Sequence, residues 1–337
     1  MRQNWLLQMV MAVLLAGVAA AQSGTALSGP TLGLVFDSSQ SALRPIRGIP
    51  GAATLGDAVN LGFPLASATV SPRQDFALAL RADNSSLVLV RAGAENSSSD
   101  IPGARPAPTL MVFSHAGTAA ALYDSVSGRV QILTGLPDAA AVQSEVDISS
   151  LAGPVAALAV DDAGASFLIA AGPAETVSLY RVVTDAAPQF LASFRSVAAL
   201  RLSGAGRDAL LADSAAGAVY AIGDLPGAGG IEMIASGQDG LGTPIAVEAD
   251  SAGRVFLADQ AGNLTILDRG RGSVVSLPCG CLPKGLFQLS GTATFRLTEP
   301  SDAPMWVLDA SGDDARIVAI PPGAPPAAPA ADNGGQQ

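Results

Sequence analysis

The stretch Pro244–Asp268, PIAVEADSAGRVFLADQAGNLTILD, spells out the repeating unit of the chain. It reads as an apolar strand (Pro244–Ala249), a turn (Asp250–Gly253), a second strand (Arg254–Ala258), another turn (Asp259–Gly262) and a third strand (Asn263–Leu267). Short runs of Val, Leu, Ile and Ala between Gly, Asp and Ser clusters signal antiparallel hairpins, and glycine serves their turns because positive φ costs it nothing. Ser273–Leu277 supplies a fourth strand. Four strands in a unit of roughly 40 to 45 residues make one blade of a β-propeller.

The same Ala-Gly turn closes an apolar run at Ala116-Gly117, Ala163-Gly164, Ala205-Gly206 and Ala252-Gly253, with the glycines 47, 42 and 47 residues apart. Ser71-Pro72 and Ser290-Gly291 hold the equivalent turn at either end. Six units follow, at 63–107, 108–150, 151–194, 195–241, 242–281 and 282–322. Before them, Leu32–Asp37 and Leu43–Ile49 form a hairpin, and a strand near Asp57–Leu61 would make this a seventh, reduced blade. The expectation is an all-β propeller of four-stranded antiparallel blades, seven rather than six. A parallel β-helix would have shorter repeats and fewer strands in each. Ala156–Val160 and Phe167–Ala171 are continuously apolar, as strands covered on both faces are. Ala94–Pro108 reads as a mobile insertion where the first full blade should carry its outer strand.

The two ends differ from this pattern. Arg2 precedes an apolar stretch from Trp5 to Val18, and Ala19-Ala20-Ala21 offers the small residues a signal peptidase requires. Residues 1–21 are therefore expected to be a signal peptide cut before Gln22, which places the protein in the periplasm or outside the cell. The apolar core is short for a membrane span, so the mature chain is not expected to cross one. Residues 323–337 continue a Pro- and Ala-rich stretch that buries too little apolar surface to order itself, and are expected to be disordered. The propeller then occupies 22–322.

Charge and composition narrow the chemistry. The net charge of −11, which becomes −12 when Arg2 leaves with the signal, argues against a nucleic-acid partner. His115 is the sole histidine, in a turn, so no pair of histidines can act as acid and base within one chain. Trp306 is the only tryptophan of the mature chain, which excludes a propeller stapled by repeated tryptophans. Cys279-Gly280-Cys281 contains the only two cysteines. In an oxidising compartment they pair with each other, pair between chains or stay free. A small local disulfide is the favoured reading, because a metal or redox role would need partner ligands.

Asp83, Asp124, Asp213 and Asp259 recur at one repeat position, after the second strand. One carboxylate per turn is the pattern of Asx turns, a folding signal, whereas a hard cation needs six to eight converging oxygens. The inner strands open with apolar or small residues such as Leu65-Ala66, Leu110-Met111 and Val155-Ala156, so the channel they line should carry few charges. Arg201 and Glu248 are the exceptions, read as belonging to non-neighbouring blades.

The segment VEADSAGRVFLADQAGNLTILD (247–268) resembles the repeat of NHL, YVTN and gluconolactonase-like propellers. The opening LRPIRGIPGAATLG and the closing CGCLPKGLFQLSGTATFRLTEP resemble the ends of uncharacterised exported bacterial propellers. The gluconolactonase resemblance implies a divalent cation such as Ca²⁺ held at the channel mouth, but its acids have no residue-by-residue match here. No catalytic residue and no metal ligand is assigned, and no cofactor is expected outside the Ca²⁺-dependent lactonase or esterase alternative. The leading expectation is a non-enzymatic binding or scaffold module for a protein or surface partner. Arg195, Asp213, Asp259 and Lys284 are the expected exposed residues of its binding rim.

Overall fold

The structure is a computed structural model that describes residues 29–322 apart from 94, 95, 204, 205 and 228; the expected signal peptide and C-terminal tail lie outside the described residues. The described chain forms seven antiparallel sheets in sequence order. Six have four strands, and the first has three: Thr31–Asp37, Ala42–Arg47 and Thr54–Leu55. A single turn of 3₁₀ helix, Gly237–Asp239, is the only helical element among the described residues. Seven blades are thus confirmed, and the reduced one is the N-terminal blade. No helix of the described residues is long and apolar enough to cross a membrane.

Each blade buries both faces against its neighbours, which is why its strands need not alternate polar and apolar residues. The second strand of blade 4, Ser166–Ala171, is buried at every residue. The apolar residues fall into separate clusters between successive blades. Phe256, Leu264 and Ile266 of blade 6 meet Leu286, Phe295 and Leu308 of blade 7, with the Phe256 and Phe295 rings 4.9 Å apart. The ring closes through Leu32, Val35 and Ile46 of blade 1, which pack on Leu289, Met305 and Val307 of blade 7.

Blade 1 also closes the ring by hydrogen bonds. Thr31–Asp37 starts beside the inner turns of its neighbours, where Ser290 N–H donates to Leu32 O at 2.8 Å, and ends near the start of blade 2, where Leu65 N–H donates to Ser41 O at 2.7 Å. It therefore runs in the direction of the second strands of other blades, and no strand lies inside it among the described residues. Gln74, in the inner turn of blade 2 at φ 63°, stands there instead. Its Oε1 accepts the Leu34 N–H at 2.8 Å, and its Nε2 donates to Gln288 O and, at 3.2 Å, to Ser71 O. One amide joins blades 7, 1 and 2. Gly33 makes room for it, since a Cβ there would lie 2.5 Å from Gln74 Oε1 and 2.9 Å from Leu289 Cδ2.

Two segments differ from the sequence expectation. Ala94–Pro108 is not simply an insertion: Ser97–Asp100 within it pairs with Leu87–Arg91 as the outer strand of blade 2. In blade 1 the third strand falls at Thr54–Leu55 rather than Asp57–Leu61, although the Gly56 and Val59 N–H groups still bond to Pro45 O and Leu43 O. Gly and Ala there carry too little side chain for apolar periodicity to mark the strand.

Carboxylates held by arginines make the ring sensitive to acid. Glu145, on the outer strand of blade 3, accepts from Arg105 at 2.9 Å and Arg129 at 2.7 Å, which pulls its pKa down from 4.5 to about 2. Burial would raise Asp37 and Asp309, but bonds from Ser39 and Arg44 and from Ser311 and Arg316 outweigh it and hold both below 3.8. Carboxylates with pKa lower in the folded state stabilise it fully above their unfolded values, and the contribution disappears as pH falls through the folded ones. Urea titrations should accordingly give a steady midpoint from about pH 7 to 5 and a falling one from about pH 4.5 towards 2. A midpoint unchanged down to about pH 2.5 would contradict this account.

Candidate functional site

The face that carries the connections between blades and the turns joining second to third strands, here called the upper face, gathers all four expected rim residues. Arg195 is 63% exposed and reaches Glu175 at 3.2 Å, and Lys284 is exposed at the entry to blade 7. Asp213 and Asp259, expected to be exposed, are only 2% and 1% exposed. The Asp213 carboxylate accepts the N–H groups of Arg195 (2.9 Å), Ser196 (3.0 Å) and Ala216 (3.0 Å). Asp259 accepts from Gly242 N–H (3.3 Å), Asn263 N–H (2.8 Å) and Asn263 Nδ2 (3.0 Å). Each thus fastens the entry of its blade to the following turn. A buried carboxylate is tolerated when several N–H donors converge on it, and here that demand turns both side chains inward.

The other two repeat aspartates also act within their turns. Asp83 accepts from Arg81 Nε at 3.0 Å and Nη2 at 2.5 Å, and Asp124 from Ser127 Oγ at 2.5 Å and Val126 N–H at 2.9 Å. These hydrogen bonds hold both pKa values below the usual carboxylate range. Among the described residues, no three His, Cys, Asp or Glu side chains converge as a cation would require. Cys279 and Cys281 are joined, with Cα atoms 5.0 Å apart, directly after the outer strand of blade 6. His115 is exposed in the inner turn of blade 3.

In the channel the two charged residues expected on non-neighbouring blades lie on adjacent ones. Arg201 lies on Ala199–Ser203 and Glu248 on Pro244–Ala249, the inner strands of the consecutive blades 5 and 6, and Arg201 Nε donates to Glu248 Oε1. They are neighbours, and each neutralises the other. Elsewhere the inner strands present half-buried apolar groups, as at Leu110–Phe113, and Phe287 is 36% exposed. The Phe287 ring lies 4.1 Å from the Arg296 guanidinium, whose pKa burial lowers despite Glu299 beside it.

A recess of about 270 Å³ between blades 3 and 4 had no counterpart in the sequence reading. Its walls include Tyr123, Ser125, Ser127, Ser149 and Leu151. Serines at turns announce turn chemistry, and only the tertiary contact of two blades makes them line one hollow. The hollow carries hydroxyls but no charged group, which suits neither proton transfer nor cation binding.

No protein-family model matches the chain, and no curated protein does. Solved structures do. A functionally unknown protein from Desulfotomaculum acetoxidans superposes with a TM-score of 0.60 at 12% identity, covering 87% of this chain and 100% of the other. A protein described as a candidate 6-phosphogluconolactonase from Bacteroides fragilis gives 0.56 at 10% identity, covering 86% and 94%. PorZ, a surface component of the type-IX secretion system of Porphyromonas gingivalis, gives 0.55 at 12% identity, covering 87% of this chain and 39% of that one. At such identities the likeness defines the class, a seven-bladed β-propeller, and not an activity.

Proposed function

We propose that the chain is an exported, non-enzymatic propeller that binds a protein or surface partner through its upper face. The observation that carries this reading is that the polar groups of the channel and upper face serve the fold. Asp213 and Asp259 bind backbone N–H groups, and Arg201 and Glu248 bind each other. A catalytic funnel needs several convergent polar groups free to meet a substrate. Export is supported by Arg2, the apolar stretch Trp5–Val18 and the small residues before Gln22. Arg195, which also reaches Glu175, and Lys284 are exposed cations of that face.

The rival reading, a Ca²⁺-dependent lactonase or esterase, draws on the resemblance of the repeat to gluconolactonase-like propellers. Calorimetric titration of the purified protein with Ca²⁺, together with a lactone hydrolysis assay, separates the two. We expect no saturable heat and no turnover above buffer. A dissociation constant of about a micromolar or tighter, lost in Glu248→Ala, would replace the binding module with the enzyme. In protein recovered from its native compartment, alkylation without reductant should leave Cys279 and Cys281 unlabelled. Their replacement by Ser should shift stability by no more than about 2 kcal/mol, since the loop they close is minimal. Two labelled thiols would refute the disulfide.

A further inference from the structure

We propose that the outer edge of blade 6, strand Ser273–Pro278, pairs antiparallel with the same strand of a second copy about a two-fold axis through Val275. Outer strands of propeller blades are open sheet edges, and soluble proteins normally guard such edges with charges, bulges or short strands. The other six blades use these devices. The outer strand is two residues long in blade 1, begins with Arg316 in blade 7, and is Ser-Ser-Ser-Asp in blade 2. In blades 3, 4 and 5 its pairing is interrupted by a register shift. Among the described residues blade 6 has none of these three, and its one edge guard is Pro278 at the last position of the strand. Ser273–Pro278 pairs with Asn263–Asp268 without a shift, carries no charge, and leaves Val274 48% and Val275 47% exposed.

The backbone fixes how a second strand would fit. Cys279 N–H donates inward to Gly262 O at 2.8 Å, so by alternation Leu277, Val275 and Ser273 bond inward while Val274, Ser276 and Pro278 turn their polar groups outward. Pro278, which has no N–H, occupies an outward position, where a proline costs the sheet nothing. Val274 of one copy can then exchange both bonds with Ser276 of the other. The two Val275 side chains face each other as a non-hydrogen-bonded pair, with Cα atoms about 4.5 Å apart. The contact is self-complementary, as a two-fold interface must be.

Charge favours a second copy at this edge. The whole chain carries −11, yet Ser273 to Leu282 contains no charged residue, and the turn before it bears Arg269 and Arg271. In the register above, that turn lies beside the uncharged Cys279–Leu282 stretch of the second copy, so no carboxylates are set opposite one another. Arg269 also bonds Glu232 at 2.7 Å, which holds the outer strand of blade 5 alongside, with Met233 56% and Ile231 44% exposed. Together these groups offer on the order of 500 Å² per copy, below the roughly 800 Å² of a standard interface, so the dimer should be weak, with a dissociation constant of about micromolar or higher.

Sedimentation equilibrium of the purified protein over a micromolar-to-millimolar series tests this. The mass should rise towards twice the monomer value, and Val275→Lys, which sets two ammonium groups face to face, should weaken association by roughly tenfold or more while circular dichroism stays unchanged. In a Cys279→Ser, Cys281→Ser background, oxidised Val275→Cys should form a covalent dimer. Val126→Cys, at a turn tip that is 96% exposed, should not. A monomer mass at every concentration overturns the proposal. So does cross-linking of Val126→Cys as fast as Val275→Cys, which would mark random collision.

Discussion

Gln74→Ala should lower the unfolding midpoint of the protein by on the order of 10 °C, the largest loss expected from any single polar side chain in the ring. The reason is the place of the amide. It satisfies the Leu34 N–H of blade 1 and the Gln288 carbonyl of blade 7 from the inner turn of blade 2. Removing it leaves both backbone groups unmet in a part-buried setting, at roughly 1–3 kcal/mol each, or about 4 kcal/mol in all. The Ala variant keeps a non-glycine residue at φ 63°, so the change reports the amide rather than the backbone. Gln74→Glu keeps an acceptor for Leu34 but loses the Nε2 donor, and should fall between the two. Thermal unfolding followed at 218 nm measures all three, and an Ala variant as stable as wild type would mean that apolar packing alone closes the ring.

Asp259→Ala should cost about 3 kcal/mol and leave the response to Ca²⁺ unchanged. This carboxylate is 1% exposed and gathers three N–H donors from Gly242 and Asn263, so its loss strands one backbone donor at the entry of blade 6 and another at the start of its third strand. Hydrogen bonds to a charged acceptor contribute about 1.5–3 kcal/mol each, and partial hydration of the vacated site recovers some of that. Asp259→Asn, which keeps one acceptor oxygen, should lose less. Asp213→Ala should behave in the same way in blade 5. Denaturant titration gives the stability difference directly. Should Asp259→Ala instead match or exceed the wild type, the residue would resemble a functional carboxylate kept at the expense of stability, and the enzyme reading would gain.

Some of the architecture was legible because it repeats. The Ala-Gly turns at 117, 164, 206 and 253 marked the blades, and the unbroken apolar strands announced sheets covered on both faces. A shorter repeat went unread: Asp37, Ser39 and Arg44 in blade 1 recur as Asp309, Ser311 and Arg316 in blade 7, with the same bonds in each. An Asp-x-Ser spacing followed by an Arg five residues on is a signal that sequence alone could have supplied. The rim was less legible. Asp213 and Asp259 stand in turns rich in Gly, Ser and Ala, where composition suggests exposure, and burial there follows from backbone donors arriving from the entry of the same blade.

Strand class, blade period and the sparse charge of the inner strands could be read from the chain, because these depend on local periodicity and turn chemistry, whereas seven blades rather than six rested on the pairing of the short strand Thr54–Leu55. Which charges meet depends on how the blades are arranged in space. Arg201 and Glu248 lie 47 residues apart and pair because consecutive inner strands stand side by side. Gln74 and Gln288 lie 214 residues apart and meet because the ring closes on itself. Distance along the chain carries no record of distance across a closed ring, so the clasp, the ion pair and, among the described residues, the open edge of blade 6 emerged only when the blades were set in place.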